Sequence, residues 1–156
     1  MENEMMCVPF SWTPVEKSDY EKFGIIDTQE AHPVFAWFVK NENAQSVVSM
    51  YNYGQDKKFI DNIFASVEQI KDDEEFIAQH GMQTVFSEIV TLGKRKAYVL
   101  VSKVGGEGVL CFDVFFYKDN KNYNLHTIVE EKEISSFDDI KDVELLSSIL
   151  SVVEGV

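Results

Sequence analysis

Cys111, Asp113 and His126 are the residues whose types and spacing come nearest to a catalytic site in this chain of 156 residues. Cys111 and Asp113 are two positions apart in an apolar run, so their side chains share one face of a predicted strand. If Asp119-Asn120 is a two-residue hairpin turn, His126 lies opposite Asp113 on the next strand. The three side chains then offer the nucleophile, base and orienting carboxylate of a cysteine hydrolase.

Simpler roles explain the same three residues, and we favour them. Asp113 opposite His126 is an ordinary cross-strand charged pair. A free cysteine such as Cys111 most often serves as a small buried hydrophobe. The middle of a sheet also lacks the helix N-terminus or loop N–H groups that an oxyanion site requires. We therefore predict that the protein is not an enzyme.

The motifs do not indicate a metal or phosphate site. The histidines and cysteines lie in unrelated parts of the sequence, without the spacing of metal ligands: His32, His80, His126, Cys7 and Cys111. Gly105–Gly108 resembles a phosphate loop only in glycine content, because no Lys-Ser/Thr follows and the next element is a predicted strand. A hairpin turn explains this run better. We expect neither a metal nor another cofactor.

The overall charge limits the kinds of partner. Asp and Glu number 27 against 14 Lys and Arg, which gives a formal net charge of -13. Such a surface repels nucleic-acid phosphates and anionic membranes, so a charged partner is expected to be basic. The acidity also has a plainer explanation, since it keeps a small protein in solution. No apolar run approaches the roughly 20 residues of a membrane-spanning helix, so we expect no membrane insertion.

The compartment is predicted from the N-terminus and the cysteines. The run Met1–Met6 lacks the basic start and apolar stretch of a signal peptide. Two cysteines are too few for a disulfide framework. We therefore predict a cytoplasmic protein. No linker or repeat divides the chain, which predicts a single domain over residues 1–156.

The elements that position Asp113 and His126 form a predicted meander of four antiparallel strands: Val85–Leu92, Lys96–Val104, Val109–Tyr117 and Tyr123–Glu130. One face of this meander, the core face, is almost entirely apolar: Ala97, Val99, Val101, Phe112, Val114, Phe116, Tyr123, Leu125 and Val129. The opposite face, here called the mixed face, combines polar and aromatic side chains. Its predicted binding residues are Tyr98, Cys111, Asp113, Phe115, Tyr117, Asn124 and His126. Either a helix covers the aromatic part of this face, or a partner does.

Helices are predicted before and after the meander. Apolar residues recur at helical spacing from Phe59 to Ile70, and Asp72–Glu75 opens a second helical stretch that ends at Gly81. Ser135 or Ser136 caps a C-terminal helix that runs to Val153. Short extended pieces are expected earlier in the chain, with their pairing left open: Cys7–Trp12, Phe23–Asp27, Val34–Lys40 and Ser46–Tyr53.

This order of elements resembles that of PsbP-like domains over approximately residues 46–153. The resemblance rests on Gly93–Tyr98 entering a long strand, the aromatic strand Phe112–Tyr117, Tyr123–Leu125 after the turn, and Ile149–Ser151 at the end of the last helix. The start departs from the family, because Val8–Pro14 replaces a turn of the Pro-x-Gly-Trp type. The resemblance implies an α+β fold, with an antiparallel sheet flanked by helices in an α/β/α sandwich. A Ran-binding nuclear transport factor shares that fold, and family members are mostly binding proteins.

Two functions follow from these expectations. The first is a non-catalytic protein-binding domain, such as a bacterial immunity protein or effector chaperone that meets a basic partner. The alternative is a small-ligand carrier or sensor that holds its ligand near Tyr98, Phe115 and His126.

Overall fold

Strands and helices alternate in blocks along the chain. The computed structural model describes residues 7–41, 44–105, 108–130 and 133–156. The strands in this part of the chain are β1 (Thr13–Pro14), β2 (His32–Asn41), β3 (Ala44–Asn52), β4 (Met82–Leu92), β5 (Arg95–Val104), β6 (Val109–Lys118) and β7 (Lys121–Glu130). The helices are α1 (Phe59–Ile70), α2 (Glu74–His80), α3 (Phe137–Lys141) and α4 (Glu144–Glu154). None of the described helices is long and apolar enough to cross a bilayer.

The strands form one seven-stranded sheet in the order β1-β2-β3-β7-β6-β5-β4, and every pairing is antiparallel. This confirms the predicted α+β fold with an antiparallel sheet. The predicted hairpin is also confirmed: Asp119 and Asn120 have φ angles of 51° and 63°, as a two-residue type I′ turn requires. The resulting register pairs Asp113 with His126.

Helices α3 and α4 cover the core face. The central residues of that face, among them Val99, Phe112 and Leu125, are fully buried with Ile149 of α4. The prediction of a single C-terminal helix is wrong, because two helices take its place. Val143 adopts an extended conformation between them and buries its side chain in the core.

Helix α1 lies on the side of the mixed face. Ile60, Phe64 and other apolar residues of α1 pack on Tyr98 and Phe115. The predicted second helical stretch is present as α2, whose N-terminus is capped by the Asp73 carboxylate. Gly81 ends it with a φ of 65°, a left-handed conformation that favours glycine.

Two extended pieces predicted near the N-terminus are not strands. In Cys7–Trp12 the chain turns, and the Trp12 N–H donates to the Pro9 carbonyl (3.0 Å). Phe23–Asp27 begins at the last residue of the second of two short 3-10 turns and is held locally, because the Ile25 N–H donates to the Tyr20 carbonyl (2.9 Å). These two N–H groups find partners nearby in the sequence and therefore need no neighbouring strand.

Two predictions fall wholly or partly outside the described residues. Met1–Met6, from which a cytoplasmic location was predicted, precedes the described chain. Gly106 and Glu107, in the predicted turn between β5 and β6, are also outside it. The strands on either side of that turn pair up to Val104 and Val109.

Candidate binding groove

A groove of about 490 Å³ lies on the mixed face. Helix α1 covers one end of this face, and residues 15–31, here called the N-terminal segment, cover the other. The segment is anchored by Val15 and Ile25, which pack on Ala36 of β2. Helix α1 and the N-terminal segment do not meet, so the strands between them are exposed to solvent. The floor of the groove is formed by Leu100, Ser102, Cys111, Asp113, Asn124 and His126.

Asp113 and His126 form a hydrogen-bonded pair in the floor. The predicted register places them opposite each other, and Nδ1 of His126 donates to Oδ1 of Asp113 at 2.8 Å. The Asp113 side chain is 17% exposed and the His126 side chain is 30% exposed, so both reach the groove. Burial lowers the pKa of His126, but the hydrogen bond and the charge of Asp113 outweigh burial, and the net shift is upward from 6.5.

Asn124 provides a second hydrogen bond to the same oxygen of Asp113. Its amide group is almost fully buried, and Nδ2 donates to Oδ1 of Asp113 at 3.2 Å. Hydrogen bonds to a carboxylate are stronger than those between neutral groups. Asn124 and His126 therefore fix the orientation of the Asp113 carboxylate in the groove.

Cys111 lines the groove two positions before Asp113. Burial raises the pKa of its thiol, and the charge of Asp113 raises it further. Cys111 is directly opposite Ile128 in the sheet, whereas Nδ1 of His126 is bonded to Asp113. A thiol in this setting stays protonated at neutral pH, which disfavours nucleophilic attack.

The structure separates the predicted binding residues into two groups. Cys111, Asp113, Asn124 and His126 line the groove. Tyr98 and Phe115 lie under α1 as part of the core, and their rings stack with centroids 5.7 Å apart. The Tyr98 hydroxyl shares a 2.9 Å hydrogen bond with Oγ of Ser87, and burial raises its pKa to about 12.

Tyr117 is the third predicted residue outside the groove. It is half-buried beside α1, and its hydroxyl donates to Oδ1 of Asn120 at 3.4 Å. The covering helix thus places the aromatic part of the mixed face in the core and leaves the polar part open.

Some groove residues were not predicted. Tyr51 comes from β3, which pairs with β7 so that Tyr51 lies opposite Asn124. Tyr53 lies just after β3, and burial together with the charge of Asp113 raises its pKa to about 12. These residues escaped prediction because the pairing of β3 with β7 joins distant parts of the chain.

The wall provided by the N-terminal segment was also missed. It contributes Gly24, Ile26, Thr28, Glu30 and Ala31. A small loop fixes its end, because the Ala31 N–H donates to Oγ1 of Thr28 and the Thr28 N–H donates to the Ala31 carbonyl, both at 2.9 Å. Thr-x-x-Ala is too common a pattern to predict such a loop.

Three exposed apolar residues, Ile26, Met82 and Ile128, lie at the polar floor and are here called the rim. Ile26 and Met82 line the groove with 60% and 44% of their surface exposed. Ile128, which is 51% exposed, follows His126 on the same face of β7. Exposed apolar side chains that gather in one place mark interaction sites more often than scattered ones do.

The charge of the groove is negative. Glu30 and Asp113 are the carboxylates of its described lining, which includes no lysine or arginine. Among the described residues, no group of three or more His, Cys, Asp or Glu side chains is arranged to hold a metal ion.

Comparisons with known proteins relate the chain to others by shape alone. No family model matches it, and a search of curated proteins finds no match. Among solved structures, the chain is similar to PA94 from Pseudomonas aeruginosa, a protein of unknown function. The TM-score is 0.50 at 11% identity, and the match covers 80% of this chain and 83% of that one. At this identity the likeness concerns the fold only.

Proposed function

We propose that the chain is a single, non-catalytic protein-binding domain that recognises a basic partner through the groove and its rim. The observation that carries this proposal is the position of three exposed apolar residues at a carboxylate-bearing floor: Ile26 and Met82 line the groove, and Ile128 lies opposite the floor residue Cys111 in the sheet. An apolar rim beside fixed polar groups is the composition of a recognition site.

Charge supports a basic partner. The net charge of -13 attracts cationic proteins over a distance set by the salt concentration. Within the groove, the carboxylates of Asp113 and Glu30 place negative charge at the proposed contact surface. The two effects act at different stages, since the overall charge speeds encounter and the groove carboxylates select the bound orientation.

The concrete form of this proposal is a bacterial immunity protein or effector chaperone that acts in the cytoplasm. Cys7 and Cys111 are both free, which supports a reducing compartment.

We also propose that the fold is a PsbP-like α/β/α sandwich. The packing of α1 and α4 on opposite faces of the sheet supports this proposal.

A small-ligand carrier or sensor is the second candidate. The groove volume of about 490 Å³ is within the usual range for ligand pockets, roughly 300–1,000 Å³. The exposed rim favours the protein partner, because Ile26, Met82 and Ile128 face solvent and offer contacts beyond the volume of a small ligand.

Quantitative affinity capture from the native host's lysate tests the proposal. The tagged wild type is compared with the double variant Met82→Ser, Ile128→Ser and with Phe10→Ser as a matched control. Phe10 is fully exposed and is not part of the groove lining, so its change removes a similar apolar surface elsewhere.

We expect wild type and Phe10→Ser to retain the same basic protein and the double variant to lose it. Equal retention by all three would contradict recognition through the groove. If only a small molecule co-purifies with wild type and is lost from the double variant, the carrier is the better account.

A further inference from the structure

One carboxylate in the groove is arranged to receive an additional cation. Nδ1 of His126 and Nδ2 of Asn124 both donate to Oδ1 of Asp113. The second oxygen, Oδ2, belongs to a side chain that is still partly exposed to the groove. A carboxylate has acceptor capacity for more than two donors.

We propose that Asp113 accepts a lysine or arginine side chain of the partner, and that protonation of His126 opposes this contact. This inference rests on the proposed function and specifies the partner segment. Because Asp113 lies in the floor and Ile26, Met82 and Ile128 stand at the rim, the segment presents a cationic residue between apolar ones.

Charge complementarity supports this occupant over an acidic or purely apolar one. An apolar segment would cover the carboxylate of Asp113 without pairing it, which is costly in free energy. An acidic segment would meet Asp113 and Glu30 with the same sign. A cationic side chain satisfies the carboxylate, and its aliphatic stem adds to the apolar contact.

His126 competes with the partner because it is already bonded to the same carboxylate. When protonated, its imidazolium lies 2.8 Å from Oδ1 and neutralises the charge that the partner's cation needs. When neutral, it leaves Asp113 with its full negative charge. Lower pH therefore weakens binding of the cation, and higher pH strengthens it.

Other titratable groups lie in the groove lining with His126 or further along its strand. They are Asp113 and Cys111 on β6, Tyr51 on β3, Tyr53 after it, Glu30 on the N-terminal segment, and Glu130 beyond Ile128 on β7. Burial raises the pKa of Cys111, Tyr51 and Tyr53, so these three stay neutral around neutral pH. His126 is thus the group whose charge changes in this range.

Linkage gives the proposal a reciprocal signature. If the cation and the His126 proton exclude each other, the affinity falls by up to about tenfold for each pH unit below the pKa of His126. By the same relation, binding of the cation lowers the pKa of His126. A merely structural His126–Asp113 pair would show neither effect.

The test uses the full chain and two synthetic peptides observed by NMR. The probe is acetyl-Leu-Ala-Lys-Ala-Leu-amide, in which alternate residues of an extended chain share one side. The matched control carries acetyl-lysine in place of lysine, which removes the charge. The resonances of the Ile26, Met82 and Ile128 methyl groups report binding, and the His126 ring resonances report its pKa.

We expect the lysine peptide to shift the three methyl resonances and to lower the pKa of His126. Its affinity should be on the order of tenfold higher at about pH 8.5 than at about pH 5.5. The control peptide should lack the pH dependence. Asp113→Asn should abolish the preference for lysine, whereas His126→Gln should keep it at both pH values.

Other outcomes overturn the inference in distinguishable ways. Equal, pH-independent binding of both peptides in the groove refutes the cation contact and leaves the proposed function standing. Failure of both peptides to shift the methyl resonances contradicts both. Methyl shifts that depend on protein concentration without peptide identify a second copy of the chain as the occupant, which also overturns the inference.

Discussion

At the scale of single residues, the pair of His126 and Asp113 makes folding stability depend on pH. The pKa of His126 is raised above 6.5 in the folded protein. The stabilisation from the charged pair is therefore fully present below pH 6.5 and is lost as the pH rises through the folded pKa. We expect His126→Gln to lower the free energy of unfolding by on the order of 1 kcal/mol at about pH 5.5, and by less at about pH 8.5.

Urea unfolding of wild type and variant at the two pH values measures this difference. As a control, the cost of His126→Gln is also measured in the Asp113→Asn background. In that background His126 has no carboxylate partner, so its replacement removes no charged pair. A cost that increases with pH would show that the pair does not act as described.

The reactivity of Cys111 is a second property of a single residue. Its thiol pKa is raised by burial and by Asp113, whereas Cys7 is exposed. We expect iodoacetamide at neutral pH to modify Cys111 more slowly than Cys7, and Asp113→Asn to speed the reaction at Cys111. A time course of modified peptides by mass spectrometry gives both rates. Faster modification of Cys111 than of Cys7 would favour the cysteine hydrolase hypothesis instead.

At the scale of elements, the start of α3 depends on a capping box. Oγ of Ser136 accepts from the Asp139 N–H, and Oδ2 of Asp139 accepts from the Ser136 N–H, both at 3.2 Å. We expect Ser136→Ala to cost about 1 kcal/mol of stability, measured by urea unfolding. Ser151→Ala, at an exposed position inside α4, is the control and should change stability little. Equal effects of the two changes would contradict the role of the cap.

The elements also show how much of the molecule could be predicted from sequence. The strands β4 to β7 were predictable because neighbours in sequence pair through short turns, and the Asp119-Asn120 turn determines which residues lie opposite each other. For the same reason, the proximity of Asp113 and His126 was correctly predicted.

The groove itself could not be derived in this way. Its shape depends on where α1 stops covering the mixed face and where the N-terminal segment begins. Both are packing relations between distant parts of the chain. Tyr98 and Phe115 have the same alternation as Asp113, and only the docking of α1 distinguishes the covered residues from the open ones.

At the scale of the whole molecule, the net charge of -13 should make binding sensitive to salt. Raising NaCl from about 50 mM to about 500 mM shortens the screening length from roughly 14 Å to roughly 4 Å. We expect retention of the basic partner to fall on the order of tenfold over this range, measured by quantitative mass spectrometry of captured protein. Retention that does not change with salt would mean that the acidity serves solubility and not recognition.

Photo-cross-linking in the native host tests the central claim, recognition of a basic protein through the groove, most directly. A photoreactive benzoylphenylalanine is placed at Met82 on the rim and, in a separate variant, at Phe10, which is more open to solvent and is not part of the groove lining. We predict that one basic protein is cross-linked from position 82 and not from position 10. Cross-linking of the partner from position 10 alone would contradict the account and place the interface elsewhere on the molecule.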